Sequence, residues 1–329
     1  LTTTPVLVLT EQDLRRCAGF DLAALAAVRQ AFVWLSEGRV AMPPIMHIDV
    51  AEHGGDVDIK SAFVAGQPSI AVKVAAGFFG NARFGLPSSS GLVVVIDATT
   101  GRGEAILLDN GYLTDLRTGL AGAVAADLLA PPGDVHVGIL GAGVQARFQL
   151  KALALVRPIA SVRVFARNPS QARRYAEEMG ADMGLDIHIA QDLPGLVAES
   201  EVIVTTTPSR EPLIQAQWLR PGQHITAMGA DLPGKQELHA DVLGIADRVV
   251  CDDPAQCRTH GELQHAVHSQ ALRAIPSTLG DIVRGLSPGR VDPGEITVCD
   301  LVGLGVQDTA MALHVLQKAR ALGAGTVFR

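Results

Sequence analysis

Directly after the apolar run VHVGIL comes GAGVQA, a G-x-G-x-x-A pattern at Gly141, Gly143 and Ala146 that opens a helical stretch. Gly141 suits the tight turn, Gly143 lets backbone approach a pyrophosphate, and Ala146 is small enough for close helix–strand contact. The unpaired N–H groups and the dipole at the helix start favour that anion. Alone, the motif also fits a tight turn without a ligand; the strand before it and the helix after it favour a nucleotide. At the end of the next β-type run a carboxylate would hydrogen-bond the ribose 2′-hydroxyl of NAD, and here the chain reads Phe165-Ala166-Arg167-Asn168. Arg167, with Asn168 and Arg173 nearby, suits a 2′-phosphate. The expected cofactor is therefore NAD(P)(H), with NADP(H) slightly preferred, and the alternative for Arg167 is a solvated surface side chain.

Other chemistries lack their residues. Cys17, Cys251, Cys257 and Cys299 are scattered without C-x₂-C spacing and read as buried free thiols. His260 and His265 stand i, i+5 around Glu262, unlike the i, i+4 pair of a helical zinc site, so no metal is expected. The serines at 88–90 belong to no G-x-S-x-G elbow. His239 reads as a helix-start or ribose-side residue rather than a general base.

The elements around the glycine motif fall into two patterns. Residues 11–38 form an amphipathic helix pair, with Asp21 as an N-cap and Gly38 at the end. Five closely spaced β-type runs follow (IMHIDV, DVDIKSAFV, SIAVKVAAGF, SGLVVVIDATTG and GEAILLDNG), which indicates an antiparallel or mixed sheet. Beyond Thr114 strands alternate with helices: LRTGLAGAVAADLLA, VHVGIL, VQARFQLKALALV, SVRVFAR, PSQARRYAEEMG, EVIVTTT and HITAMGA. Such alternation is the sequence form of a parallel sheet covered on both faces. The fold class expected is α/β, a Rossmann-type dinucleotide-binding domain over 116–305 plus an α+β domain made of 1–115 and 306–329.

Length and composition fit that reading. The chain of 329 residues is 48% hydrophobic with a net charge of −7, enough to bury two cores and to exclude disorder. Its 27 Lys and Arg against 34 Asp and Glu, without a basic run, leave no footprint for nucleic acid. No uncharged apolar stretch approaches the ~18–20 residues that cross a bilayer, and the run LTTTPVLVLTEQDLRR lacks a signal peptide's pattern. A cytoplasmic protein without membrane attachment is expected.

Further segments carry a family likeness: MPPIMHID, IAVKV, LPSSSGLVVVIDATTG, LTDLRTGLAGAVAADLLA, GAGVQA, MGADLPGKQELHADVL, RTHGELQHA and VCDLVGLGVQD. In this order and spacing the chain resembles the ornithine cyclodeaminase/μ-crystallin family essentially from end to end. Through MPPI, GDVDIKSAFV and the text at Ala105–Asp115 it is most similar to the ectoine-utilisation cyclodeaminase branch. The resemblance implies a homodimer, with the 1–115 and 306–329 domain binding substrate and dimerising. It also implies hydride transfer between nicotinamide and C2 of a small amino or imino acid. The outcome is either net reduction of a ketimine or redox-neutral cyclodeamination. A non-catalytic, μ-crystallin-like NADP(H)-binding protein is the alternative.

Carried over by resemblance, Lys73 lies beside the substrate carboxylate and imine, Arg117 pairs with the carboxylate, and Asp231 handles protons at the amine. An arginine fork suits a carboxylate, and an acid near an imine suits proton transfer. Without the family, Lys73 reads rather as a solvent-facing edge-strand residue and Asp231 rather as a turn residue, and Arg117 equally as a helix-start ion-pair member. Ser88 and Val302 are expected beside the substrate. Candidate cofactor contacts are Thr118, Gly141, Gly143, Val144, Gln145, Ala146, Arg167, Asn168, Thr206, Met228 and Gly229. The chain departs from the cyclodeaminase pattern in placing Lys60 where that enzyme has a carboxylate and His47 where the family has an arginine. Lys60 suits a substrate with a second anionic or polar group and puts ornithine in doubt.

Overall fold

The computed structural model describes residues 5–273 and 275–329, so the first four residues of the N-terminal run lie outside it. By internal contacts the chain divides into one unit of Leu1–Arg117 with Leu304–Arg329 and a second of Thr118–Gly303.

The first unit is built on a mixed sheet. Across it run Thr326–Phe328, Val6–Thr10, Gly103–Leu108, Ser89–Asp97, Ser69–Phe78, Gly55–Val64 and Val40–Ala41, with Met46–Val50 also paired to Gly55–Val64. Only Val6–Thr10 and Gly103–Leu108 pair in parallel; the other neighbours are antiparallel, as short connections allow. The Val6–Thr10, Val40–Ala41 and Thr326–Phe328 strands are additions to the five runs legible in sequence. Helix Leu22–Ser36 starts where Asp21 accepts a hydrogen bond from the Ala24 amide at 2.8 Å.

Alternation gives this sheet two unlike faces. Ala62, Ala71, Val93, Val95, Ala105 and Leu107 are buried on the face against which the Gly305–Leu322 helix packs, with Leu22–Ser36 packed in turn on that helix. Gly305 allows close approach there, since a Cβ on it would stand 2.7 Å from the Ser61 carbonyl oxygen. On the opposite face Ile59, Val72, Val74, Leu92, Val94 and Ile106 are half-buried, and Phe63 and Leu108 are exposed.

The second unit has a wholly parallel eight-stranded sheet: Ile187–Ile189, Ile159–Phe165, Val135–Leu140, Val202–Thr205, His224–Ala227, Thr297–Asp300, Arg248–Cys251 and Ser277–Thr278. Numbered along the chain, the first five strands stand in the order 3-2-1-4-5, so strand order reverses between Val135–Leu140 and Val202–Thr205. A crevice at such a switch point is where doubly wound sheets take nucleotides. Val137, Ile139, Val162 and Val164 pack with Ala146, Leu150 and Tyr175 of the adjoining helices in one core.

Two helices begin earlier than their apolar periodicity. The one expected at Leu116 starts at Tyr112, because the buried Asp109 carboxylate accepts the Leu113 amide at 3.0 Å and draws the preceding turn into the helix. The last helix starts at Gly305, so that Gln307 and Asp308 fall in its first turn. No single helix among the described residues is long and apolar enough to cross a membrane. All four cysteines are buried and free.

Candidate active site

At the carboxyl end of Val135–Leu140 the chain enters a turn that only glycine adopts easily. Gly141 has φ +110°, and a Cβ there would lie 2.6 Å from Thr206 Oγ1. Thr206 in turn donates to the Leu140 carbonyl from its amide at 2.9 Å and its hydroxyl at 3.1 Å. Gly143, the N-cap of helix Val144–Leu153, is exposed, has no side-chain cap and has no heavy atom within 4 Å of a built Cβ. This open helix start without a side-chain cap fits a pyrophosphate. Val144 is also exposed, Gln145 is half-buried, and Ala146 is fully buried with its carbonyl accepting the Tyr175 hydroxyl at 3.1 Å.

The structure adds Arg147, which motif reading does not single out. Its Nη1 donates to the carbonyls of Ala142 (2.6 Å) and Gly143 (3.0 Å), while the guanidinium lies 5.2 Å from the Tyr175 ring centre and pairs with Glu178. Arg147 thus ties down the carbonyls of Ala142 and Gly143 in the turn.

The two glycines therefore separate by experiment. Gly143→Val is expected to abolish NAD(P)H binding and leave the thermal melt near wild type, because the added side chain fills only the open cradle. Gly141→Ala is expected to lower the melting temperature itself through its positive φ and the Thr206 contact. Nucleotide fluorescence titration and a melt on each variant check this; wild-type affinity in Gly143→Val would remove the cradle from this turn.

Around this turn the remaining cofactor candidates find definite places. Arg167 is exposed just beyond Ile159–Phe165, and Asn168 caps the next helix by accepting the Ser170 amide at 3.0 Å. The Thr118 carbonyl accepts Nε2 of buried Gln149 at 3.0 Å, which ties it to the helix of the glycine motif. Met228 and Gly229 follow His224–Ala227; the Met228 amide donates to the Thr205 carbonyl at 3.1 Å and that of Gly229 to Glu237 Oε2 at 2.8 Å. Val302 is buried, its amide on Asp252 Oδ2 at 3.1 Å. Asp231 is half-exposed in the loop after Gly229 and accepts from Lys235 Nζ at 2.6 Å. His239 caps helix Ala240–Ile245, in keeping with its helix-start reading.

In the first unit Lys73 and Arg117 come together on a third residue that sequence reasoning missed. Lys73 lies on a central strand and is 3% exposed, which removes the edge-strand alternative. Its Nζ stands 3.0 Å from Oδ2 and 3.2 Å from Oδ1 of Asp308. Arg117 Nε donates to Asp308 Oδ1 at 3.0 Å, and Nη1 to Gln307 Oε1 at 3.0 Å. Arg117 is thus an ion-pair member near a helix start, and its plane is fixed. Asp308 sits in the first turn of its helix, where the dipole favours a negative charge. A sequence signal existed: an acid inside a helix of apolar residues needs a buried partner.

The charges act on each other at short range. Burial pulls the Lys73 ammonium down to about 8 against the opposing pull of Asp308, with Arg117 and Lys60 adding to the fall. Burial raises the Asp308 carboxyl, but the charges of Lys73 and Arg117 outweigh it and hold the group below its ordinary value. Lys60 is the direct cross-strand partner of Lys73 and hence shares its face. One pair further along, Asp58 faces His47, whose Nδ1 is 2.7 Å from Asp58 Oδ1; this bond raises the His47 pKa. Ser88 is exposed, and its carbonyl accepts the Phe78 amide at 2.7 Å; among the described residues no hydrogen bond of its hydroxyl is seen.

A glycine turn at the switch point of a parallel sheet in one unit, and a buried Lys–Asp–Arg cluster in the other, define an NAD(P)-dependent enzyme with a Rossmann domain and a second α+β domain. The model of the ornithine cyclodeaminase/mu-crystallin family matches residues 6–323, and the chain belongs to that family. Its sequence is 44% identical over 327 residues to a putative dehydrogenase of Rhizobium meliloti, covering 99% of both chains. An archaeal alanine dehydrogenase dimer with bound NAD has a TM-score of 0.90 at 32% identity, with 99% of each chain covered. The iminosuccinate reductase of Paracoccus denitrificans in complex with NAD+ has a TM-score of 0.91 at 31% identity, covering 99% of this chain and 100% of that one.

Proposed function

We propose that this enzyme reduces the C=N bond of a small α-imino acid to an amino acid with NAD(P)H. The observation that carries the reading is the cationic face of the first unit. Lys73, Arg117 and the cross-strand neighbour Lys60 gather about Asp308, an arrangement suited to an anionic substrate rather than to a diamino acid's distal ammonium. Arg117 and Lys73 anchor the substrate carboxylate. Among the described residues Arg117 Nη2 has no hydrogen bond, which leaves an edge of the fork for it. Bound nicotinamide supplies the hydride that arrives at C2. Asp231 holds and delivers the proton at the substrate nitrogen, with Lys235 keeping its carboxylate in place. A second carboxylate on the substrate, as the related iminosuccinate reductase's name describes for its own, would suit Lys60.

The test is stoichiometric. With a 2-oxo acid and ammonia as the imine source, one reduced nicotinamide should be consumed per amino acid formed. Ammonia release from ornithine or another diamino acid, with no net change in reduced nicotinamide, would overturn reduction in favour of cyclodeamination. In the same assay NADPH is expected to bind about five-fold tighter than NADH, because Arg167 is exposed and a screened contact contributes only about 1 kcal/mol. Arg167→Ala should erase that difference; a preference that survives it would place the 2′-phosphate elsewhere.

A homodimer is part of this proposal. The half-buried apolar face of Ile59, Val72, Val74, Leu92, Val94 and Ile106, edged by exposed Phe63 and Leu108, is the surface a second copy would cover. Light scattering should give twice the chain mass, and a monomer at micromolar concentration would refute it.

A further inference from the structure

Four carboxylates are sealed into the second unit, each at most 1% exposed: Glu237, Glu262, Asp252 and Asp300. Buried acids are costly, so what they hold is informative. Glu237 is engaged through its carboxylate, its carbonyl and its amide alike. Its Oε2 accepts the Thr205 hydroxyl at 2.6 Å and the Gly229 amide at 2.8 Å, and its Oε1 accepts the Thr207 amide. Its carbonyl takes the amides of Leu213 (2.7 Å) and Ile214 (3.0 Å). Its own amide donates to Glu262 Oε1 at 2.7 Å, and the Leu238 amide follows to Oε2 at 3.2 Å. Glycine is needed at 229, since a Cβ there would stand 2.5 Å from Glu237 Oε2.

The topology of these bonds matters more than their number. The segment from Gly229 to Glu237 carries Asp231, and Glu237 closes it on itself by taking the Gly229 amide with its carboxylate. The same carboxylate binds the Thr205–Thr207 turn, which contains Thr206 and follows the neighbouring strand. One side chain thus joins the loop that bears Asp231 to the turn that packs on Gly141. Glu262 anchors this clamp from behind, and Asp300 accepts the next amide, that of Leu263, at 3.0 Å.

We propose that Glu237 is a positioning residue: its carboxylate sets the place of Asp231 and locks that loop to the turn beside the dinucleotide motif. The inference rests on the reading of Asp231 as the proton-handling acid. The Thr205 hydroxyl and the amides of Thr207 and Gly229 all donate to the Glu237 carboxylate, so Glu237→Gln puts an amide N–H₂ against at least one of them while keeping volume and shape.

The experiment uses the full chain with Glu237→Gln, Asp231→Asn and the double variant. Without cofactor, Glu237→Gln should speed amide hydrogen exchange at least ten-fold in 205–209 and 229–237, leaving the strands Val135–Leu140 and Ile159–Phe165 unchanged. In turnover it should lower kcat at least ten-fold, and the double variant should be no slower than Asp231→Asn alone. Unchanged exchange in both segments overturns the clamp. Losses that multiply in the double variant overturn action through Asp231, because a general structural defect would add to the missing acid. If Asp231→Asn itself keeps full kcat, the proton-handling reading fails while the exchange result still decides the clamp. Thr205→Val, which deletes one donor and keeps the loop amides, should move exchange the same way by a smaller factor and serves if Glu237→Gln does not fold.

Discussion

Arg117→Ala is expected to lower kcat/KM for the imino acid by ~30-fold to several thousand-fold while NAD(P)H affinity stays near wild type. Losing one side of a buried charge-assisted pair costs about 2–5 kcal/mol, and each 1.4 kcal/mol is about ten-fold. Arg117 meets the condition of burial, being 5% exposed, and it lies in the unit that does not contain the glycine turn. The variant also leaves Asp308 with Lys73 as its remaining ion-pair partner, so some loss of thermal stability accompanies the kinetic effect. A second readout separates charge from packing. Because Arg117 helps to hold the Lys73 pKa down near 8, its removal should shift any activity limb set by Lys73 to higher pH. Arg117→Lys keeps the charge but not the fork, and should recover the pH limb better than the substrate KM. An alanine variant with unchanged kcat/KM would take Arg117 out of the substrate site.

For Asp231→Asn the loss should fall on kcat, by roughly 10²–10⁴, the usual contribution of a general acid or base. Stability should hardly move. The Asp231 carboxylate is 48% exposed and paired with Lys235 four residues on, a contact worth at most about 1 kcal/mol. That contrast makes the measurement decisive, since a purely structural turn residue would show the reverse pattern, a lowered melting temperature with little change in kcat. Rapid mixing of the variant with NAD(P)H and imine reports whether the chemical step itself has slowed; a wild-type rate there would assign the proton to another group.

Much of the second unit is legible along the chain because its determinants are local. The run VHVGIL, the glycine turn and the helix behind it lie within about twenty residues, and the demands on Gly141 and Ala146 are met by their own neighbours. The five β-type runs of the first unit, from Met46–Val50 to Gly103–Leu108, are equally legible from their alternation. The strands Val6–Thr10 and Thr326–Phe328 are not, because they are short, lie beyond the Gly103–Leu108 strand, and gain their hydrogen bonds from partners far along the chain. Resemblance supplied Lys73 and Arg117, but neither it nor the spacing disclosed their shared partner.

By itself, then, the sequence determined the two-part α/β architecture, the glycine turn with no acid at the end of the next strand, and the cationic residue types Lys60, Lys73 and Arg117 of the first unit. Only tertiary structure decided that Lys73, Arg117 and Asp308 form one cluster, across separations of 235 and 191 residues. It also decided that Lys60 shares the Lys73 face, and that Glu237 closes the Asp231 loop. The physical reason is common to all three. A buried charge is tolerated only opposite a partner, and a strand residue's face acquires neighbours only once register is set, so both depend on chain segments that one-dimensional spacing does not bring together.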